Sequence, residues 1–253
     1  MDETDGGATA KWRQMIGTVV ERSLAEGSGQ KQQRSRVRRA EILKAATRVF
    51  AREGIARARI ADIAAEAGVP LSSVYDYFGD KEDVAYALPI THMAKFFAEF
   101  AQRADTKRTA RERLHLFLWL TVDFARRHQE WARTLYLEIW PSVMVEKADV
   151  RRSLDDYSRI LLELIREGEA AAEWPVDPLP YQSATIFAGS ITQHIVTWLL
   201  YRNPRDIMKA TGPLANRLIS LLRPYETGEV ALDHNTSAVP PRVTAQRLLR
   251  ASK

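Results

Sequence analysis

The chain has no cysteine among its 253 residues, which excludes disulfides, thiolate nucleophiles and cysteine-ligated zinc. A reducing cytoplasm fits that absence, and cytoplasmic is the expected location. Its five histidines (His92, His115, His128, His194 and His234) are scattered, with no metal-ligand spacing among them. There is no Gly-rich phosphate loop and no Gly-x-Ser-x-Gly elbow. A carboxylate-based site remains open in principle, but nothing points to it. The chain is therefore read as a non-enzyme, with no metal and no cofactor. The first twenty residues, with Asp2, Glu3 and Asp5, lack the basic-then-apolar layout of a signal peptide. Long apolar runs are scarce. Residues 179–201 carry no formal charge and could span a bilayer, but they include Gln182, Ser183, Thr185, Ser190, Thr192, Gln193, His194 and Thr197. Those groups are expensive in lipid, so the stretch reads as a helix buried between other helices, with no membrane partner.

The residues that are present are ordinary in bulk and uneven in placement. Hydrophobic residues make up 45% and charged residues 27%, the balance of a globular protein. The net charge of +5 is concentrated. Lys31, Arg34, Arg36, Arg38, Arg39, Lys44, Arg48, Arg52, Arg57 and Arg59 face only Glu41 and Glu53 over the same stretch. Alone, such a block is as easily a solvated tail as a partner surface. The segment immediately downstream decides between the two. Ile60, Ile63, Ala64 and Ala67 fall at i, i+3, i+4 and i+7, one apolar helical face. Gly68 ends that helix, Val69 fills the turn and Pro70 opens a second helix whose buried face is Val74 and Phe78. Leu71, Ser72, Ser73, Tyr75, Asp76 and Tyr77 are left facing outward. This is a helix-turn-helix, the second helix of which is of the kind that lies in a DNA major groove.

The pattern predicts an all-α protein in four parts. Residues 1–33 are an N-terminal extension with one amphipathic helix carrying Trp12, Ile16 and Val19 and ended by Gly27-Ser28-Gly29. Residues 34–82 hold the helix-turn-helix domain, opened by a helix with Val37, Ala40, Ile42, Leu43, Ala46, Val49 and Phe50 on its inner side. Residues 83–225 form a larger helical domain, with Pro141 breaking one helix near Trp140 and Gly212-Pro213 kinking or splitting the last. Residues 226–253 are expected to be a disordered tail. Asp80 is the natural N-cap of the helix after the motif.

Residues 36–84 resemble the N-terminal domain of the TetR family of bacterial transcriptional regulators. The resemblance rests on Ile42-Leu43, Ala45-Ala46, Val49-Phe50, Gly54, Asp62-Ile63-Ala64, Ala67-Gly68-Val69, Tyr75, Tyr77-Phe78 and Lys81-Glu82. It implies a homodimer on a palindromic double-stranded DNA operator, repression as the default, and release by a small molecule bound in the C-terminal domain. It also implies a dimer interface built from the last two helices. Apolar residues that could bury against a second copy are Phe187, Ile191, Ile195, Trp198, Ile207, Leu214, Leu218 and Leu221. Two departures stand out. Ala58 and Arg59 replace the usual hydroxyl pair ahead of the second helix, so the cap weakens while Arg59 gains reach to a phosphate. Pro70 stands where a serine is usual.

By that resemblance Tyr75 and Tyr77 touch phosphates, and Lys81 binds one together with the helix N-terminus. The alternative for both tyrosines is packing against the first helix of the domain. Leu71, Ser72 and Ser73 face the groove, and Arg36 with its neighbours follows phosphates or enters a flanking minor groove. No Arg or Asn lies between Leu71 and Tyr77, so readout leans on apolar contacts, water and DNA shape. In the larger domain, aromatic and aliphatic groups such as Met93, Phe96, Phe97, Phe117, Phe124, Trp131, Tyr136 and Trp140 are core by default, and a cavity among them would be apolar. The expected effector-site residues are Phe97, Phe117, Thr121, Phe124, Tyr136, Trp140, Gln193 and His194, and a hydrophobic effector is preferred. The competing readings are a regulator without an effector and an enzyme carried on the C-terminal domain.

Overall fold

The computed structural model describes residues 9–24, 30–105, 107, 109–142, 146, 148–177 and 179–222. The expected tail and the Gly27-Ser28-Gly29 stop lie outside them. Among the described residues all regular structure is helical: an N-terminal helix-turn-helix domain followed by a larger helical domain.

Helix α1 (Thr9–Leu24) carries the expected apolar stripe, and it does not stand apart from the body. It packs on α5 (Lys81–Ala104) and α8 (Ala148–Ala170). Trp12 is fully buried, its ring 5.3 Å from that of Phe100, and Ile16 and Val19 are buried beside it. Lys11 reaches Glu163 at 3.1 Å and Arg13 reaches Asp105 at 2.6 Å. Exposed pairs of this kind contribute little, so the apolar stripe holds the helix in place.

Helix α2 (Gln30–Glu53) starts earlier than expected and buries Ile42, Leu43, Ala46, Val49 and Phe50. Val37 and Ala40, expected inward, are exposed, Val37 by 51%. They border an open groove with Thr91, Lys95 and Gln129 across it, so no neighbour covers them. α3 (Ile60–Ala67) and α4 (Leu71–Tyr77) come next. α5 runs unbroken through the buried Pro89, which only forgoes a bond to the Ala85 carbonyl.

α6 (Ala110–Arg127) has a Thr109 cap that accepts from the Glu112 N–H at 3.0 Å. Its first turn is also held by Glu173, which accepts from the Ala110 and Arg111 N–H groups. α7 (Gln129–Arg133) passes into a π-helical turn, Thr134–Ile139, and the helix stops at Trp140 ahead of Pro141, as expected.

α9 (Pro180–Tyr201) and α10 (Ile207–Ile219) complete the bundle. α10 is one continuous helix through Gly212-Pro213, not two pieces. Pro213 is exposed and forfeits one bond, to the Lys209 carbonyl, while Ile207, Thr211, Ala215, Leu218 and Ile219 bury a full face. No described helix is long and apolar enough to cross a membrane.

One contiguous buried cluster runs from α2–α4 through α5 into the bundle. At its centre the rings of Phe96, Phe100, Phe117 and Tyr157 pack edge-to-face or tilted, Phe100 and Phe117 at 5.0 Å and Phe117 and Tyr157 at 4.9 Å. The buried Arg113–Glu167 pair, at 2.7 Å, is tolerated because Arg113 also donates to the Lys107 carbonyl.

Trp12 tests whether α1 belongs to this core. Trp12→Ala should lower unfolding stability by about 3–5 kcal/mol, the range for a large buried aromatic, read from the urea midpoint. An unchanged midpoint would mean a loosely attached arm.

Candidate functional site

The helix-turn-helix is set by its two termini. At the end of α3, Gly68 adopts φ 65°, its N–H bonds the Ala65 carbonyl and the Val69 N–H bonds the Ala64 carbonyl. This is a Schellman closure, in which the helix satisfies its own last carbonyls. At the start of α3 the cap is half made. The Asp62 carboxylate accepts from the Arg59 N–H at 3.2 Å, and the exposed Arg59 side chain, having no acceptor, returns nothing. Pro70 is the N-cap of α4 and offers no side-chain cap, so the first amides of α4 have none.

Val74 and Phe78 anchor α4 as expected. Leu71 and Tyr75, one turn apart, are 45% and 53% exposed, with Ser72 and Asp76 exposed beside them. Ser73 and Tyr77, expected outward, are half-buried because they flank the anchoring stripe, and Tyr77 packs against the core. Lys81, also half-buried, donates to the Ala56 carbonyl at 3.1 Å from the first turn of α5. That turn is capped by Asp80, which accepts from the Asp83 N–H at 2.7 Å. Part of the basic block is used inside the domain. Arg48 pairs with Glu66 at 2.6 Å and Arg52 with Glu66 at 3.6 Å, tying α2 to α3. The Arg48 hydrogen bond holds the Glu66 carboxyl below its ordinary range. Arg36 is half-buried, and the Arg39 guanidinium lies over the Phe78 ring at 5.2 Å.

A cavity of about 280 Å³ lies in the bundle. Met93 and Phe96 of α5, Thr121 and Phe124 of α6, and Trp131, Leu135, Tyr136 and Trp140 of the α7–π segment form much of its wall. Leu154, Tyr157 and Ser158 of α8 and Thr185, Ala188, Gly189 and Thr192 of α9 complete it. None of these residues carries a formal charge. The Thr121 hydroxyl donates to the Phe117 carbonyl at 2.8 Å and lies 3.1 Å from the Tyr157 hydroxyl. Burial pushes the Tyr157 phenol up to about 12 and that of Tyr136 higher still, so both are neutral hydrogen-bonding groups. Trp140, Ser158, Thr185 and Gly189 reach solvent as well as the cavity, and they mark its mouth.

Four of the eight expected effector-site residues, Thr121, Phe124, Tyr136 and Trp140, stand on this wall. The other four do not. Phe97 and Phe117 are fully buried core, Phe97 being turned about 100° along α5 from Phe96. Gln193 is exposed and donates to the Thr197 hydroxyl at 3.0 Å. His194 faces α10, its Nε2 3.4 Å from the Thr211 hydroxyl, and burial lowers its pKa. Tyr157, Ser158 and Thr192 escaped sequence reasoning; helical periodicity gives a side chain's face but not whether a void lies beyond it.

The expected interface stripe is also placed differently. Phe187, Ile191, Ile195, Trp198, Ile207 and Leu218 are buried within this chain, against its own bundle. Leu214 is half-buried and Leu221 exposed. A single apolar stripe can face only one partner, and here that partner is the chain itself. The outward faces instead carry Ile186, Gly189, Gln193 and Leu200 on α9.

Replacing Leu71 and Tyr75 together by alanine should weaken binding to a DNA site selected from a random pool by about 1–3 kcal/mol. The thermal transition should hardly move, because both side chains are exposed. Arg59→Ala should weaken binding to all sequences alike and reduce the salt slope by about 1. Unaltered affinity in both variants would contradict the assignment of this face.

Residues 42–88 match the family described as bacterial regulatory proteins, tetR family. The fatty acid metabolism regulator protein of Bacillus subtilis (strain 168) is 24% identical over 180 residues, covering 71% of this chain and 93% of that protein. The crystal structure of FadR from Bacillus subtilis in complex with stearoyl-CoA superposes with a TM-score of 0.64 at 25% identity, over 72% of this chain and 96% of that one. FadR from Bacillus halodurans shares the fold with a TM-score of 0.68 at 22% identity, over 76% and 96% of the two chains. With a helix-turn-helix that exposes Leu71 and Tyr75 ahead of a hollow helical bundle, the chain carries the DNA-binding domain of the tetR family over residues 42–88 and is similar along most of its length to bacterial fatty acid regulators.

Proposed function

We propose that this regulator is a ligand-responsive repressor that binds a two-fold operator as a homodimer and releases it when a long-chain acyl molecule fills the cavity. The observation that carries the proposal is the cavity wall, built of aromatic, aliphatic and hydroxyl groups with no formal charge. Such a wall favours an alkyl chain and disfavours a buried anion, which would lack a countercharge. An acyl chain would therefore lie between Phe96, Tyr136 and Tyr157, with its polar head at the mouth near Trp140 and Ser158. The Bacillus subtilis FadR structure, which holds stearoyl-CoA, supports the same ligand class.

For the DNA side, Arg59, Pro70, Leu71, Ser72 and Tyr75 present the reading face, with Lys81 and Arg36 toward the backbone. Lys81 would exchange the Ala56 carbonyl for a phosphate. Two-fold pairing would use the outward faces of α9 and α10, which suits a palindromic site.

Stearoyl-CoA at about 100 times its Kd should stabilise the protein by about 2.7 kcal/mol and release bound DNA, whereas coenzyme A alone should do neither. Release by no acyl compound would favour a regulator that works without an effector. For the dimer, light scattering should give twice the chain mass of 28.7 kDa. Ile186→Glu combined with Leu200→Glu should yield a folded monomer with weakened DNA binding; an intact dimer would place the interface elsewhere.

A further inference from the structure

The two helices that open the DNA-binding domain end differently. α3 closes on its own last carbonyls through Gly68 and Val69. At the end of α2, Gly54 (φ 78°) bonds the Phe50 carbonyl at 2.8 Å, a single αL closure that leaves the next amide, that of Ile55, to another partner. That partner is the Glu138 carboxylate, which accepts from the Ile55 N–H at 2.6 Å across 83 residues of sequence. The carboxylate lies so close to the glycine that a Cβ at position 54 would stand 3.3 Å from Oε2. Two residues beyond Gly54, the Ala56 carbonyl is held by Lys81. The segment leading into α3 is thus gripped from both sides.

Glu138 belongs to the π-helical turn Thr134–Ile139. Leu135 and Tyr136 of the same turn, with Trp140 just past it, wall the cavity. One short element therefore touches the cavity and completes the cap of α2. Its geometry is unusual in two ways. A π-helical turn carries an extra residue per turn and is often found at functional positions. A carboxylate at a helix C-terminus also sits against the negative end of the dipole. The contact is held by a short, charge-assisted hydrogen bond and by the turn's geometry, while the local field opposes it.

We infer that Glu138 is a positioning residue that reports cavity occupancy to the helix-turn-helix. Resting on the acyl-effector reading, the inference is that a chain wedged against Leu135, Tyr136 and Trp140 displaces the π-helical turn and withdraws Glu138 from Ile55. That frees the Gly54–Arg59 segment and, with it, the angle of α3 and α4. The coupling needs no contact between ligand and DNA-binding domain, only an element with two arrangements that both sites bias.

The test compares the full chain with Glu138→Ala and Glu138→Gln, after thermal melts show all three folded. Stearoyl-CoA binding is read directly by tryptophan fluorescence, and DNA affinity is read with and without saturating stearoyl-CoA. In the parent the ligand should weaken DNA binding by about 5–150-fold, the span of ordinary coupling energies. Glu138→Ala should bind stearoyl-CoA as the parent does and lose most of that response. Glu138→Gln, which keeps an acceptor oxygen, should retain much of it. If the parent does not bind stearoyl-CoA, the acyl reading fails alone, and the coupling is read without ligand. Tyr136→Ala should then change hydrogen exchange at the Ile55 amide, and should do so no longer when Glu138 is alanine. Full ligand response in Glu138→Ala, or exchange at Ile55 indifferent to Tyr136, would overturn the inference.

Discussion

Helix α5 carries one core from the helix-turn-helix into the bundle, and that continuity constrains everything around it. Its first turns bury Val84, Ala85 and Leu88 beside the helix-turn-helix, and its later turns bury Phe96, Phe97 and Phe100 in the bundle. Because interiors are close-packed and resist partial displacement, a change at one end of this helix is felt at the other. Pro89 near its middle breaks one hydrogen bond without ending the helix. α1 adds to the same constraint, since Trp12 packs on Phe100 from outside. The shared helix joins the domains, and the Glu138–Ile55 hydrogen bond adds a second link between the π-helical turn and the α2–α3 segment.

The cavity and the DNA face use opposite physics. The cavity takes aromatic, aliphatic and hydroxyl groups, with Thr121 and Tyr157 bonded to each other, and no charged side chain. On the proposed DNA face the exposed Arg59 stands in solvent, where a cation can exchange counterions for a phosphate. Some of the basic residues serve neither site. Arg48 and Arg52 bind Glu66 and hold α2 on α3, so the count of positive charges overstates the number available to DNA.

The helix-turn-helix was legible in the sequence because its signals are local. The i, i+3, i+4 stripe of α3, Gly68 at its end, and Asp80 as a cap each act within a turn of where they stand. The bundle was legible as helices and illegible as contacts. Ile191 and Ile195 read correctly as buried, but a stripe does not say what buries it, and the partner proved to be the chain's own bundle. Phe96 and Phe97 differ by one position and have different fates, because a void is defined by side chains from five elements that fail to fill it. Trp12 announced an amphipathic helix and gave no hint of α5 and α8 as its platform. Glu138 carried no signal at all, since its partner is a backbone amide far away in sequence.

If an occupant of the cavity is sensed through Glu138, a crystal structure of the protein bound to stearoyl-CoA should show it. An acyl chain should lie between Phe96, Tyr136 and Tyr157, with Glu138 separated from the Ile55 amide by more than about 3.5 Å, outside hydrogen-bond range. An acyl chain in the cavity with that bond unchanged at 2.6 Å would contradict sensing through Glu138.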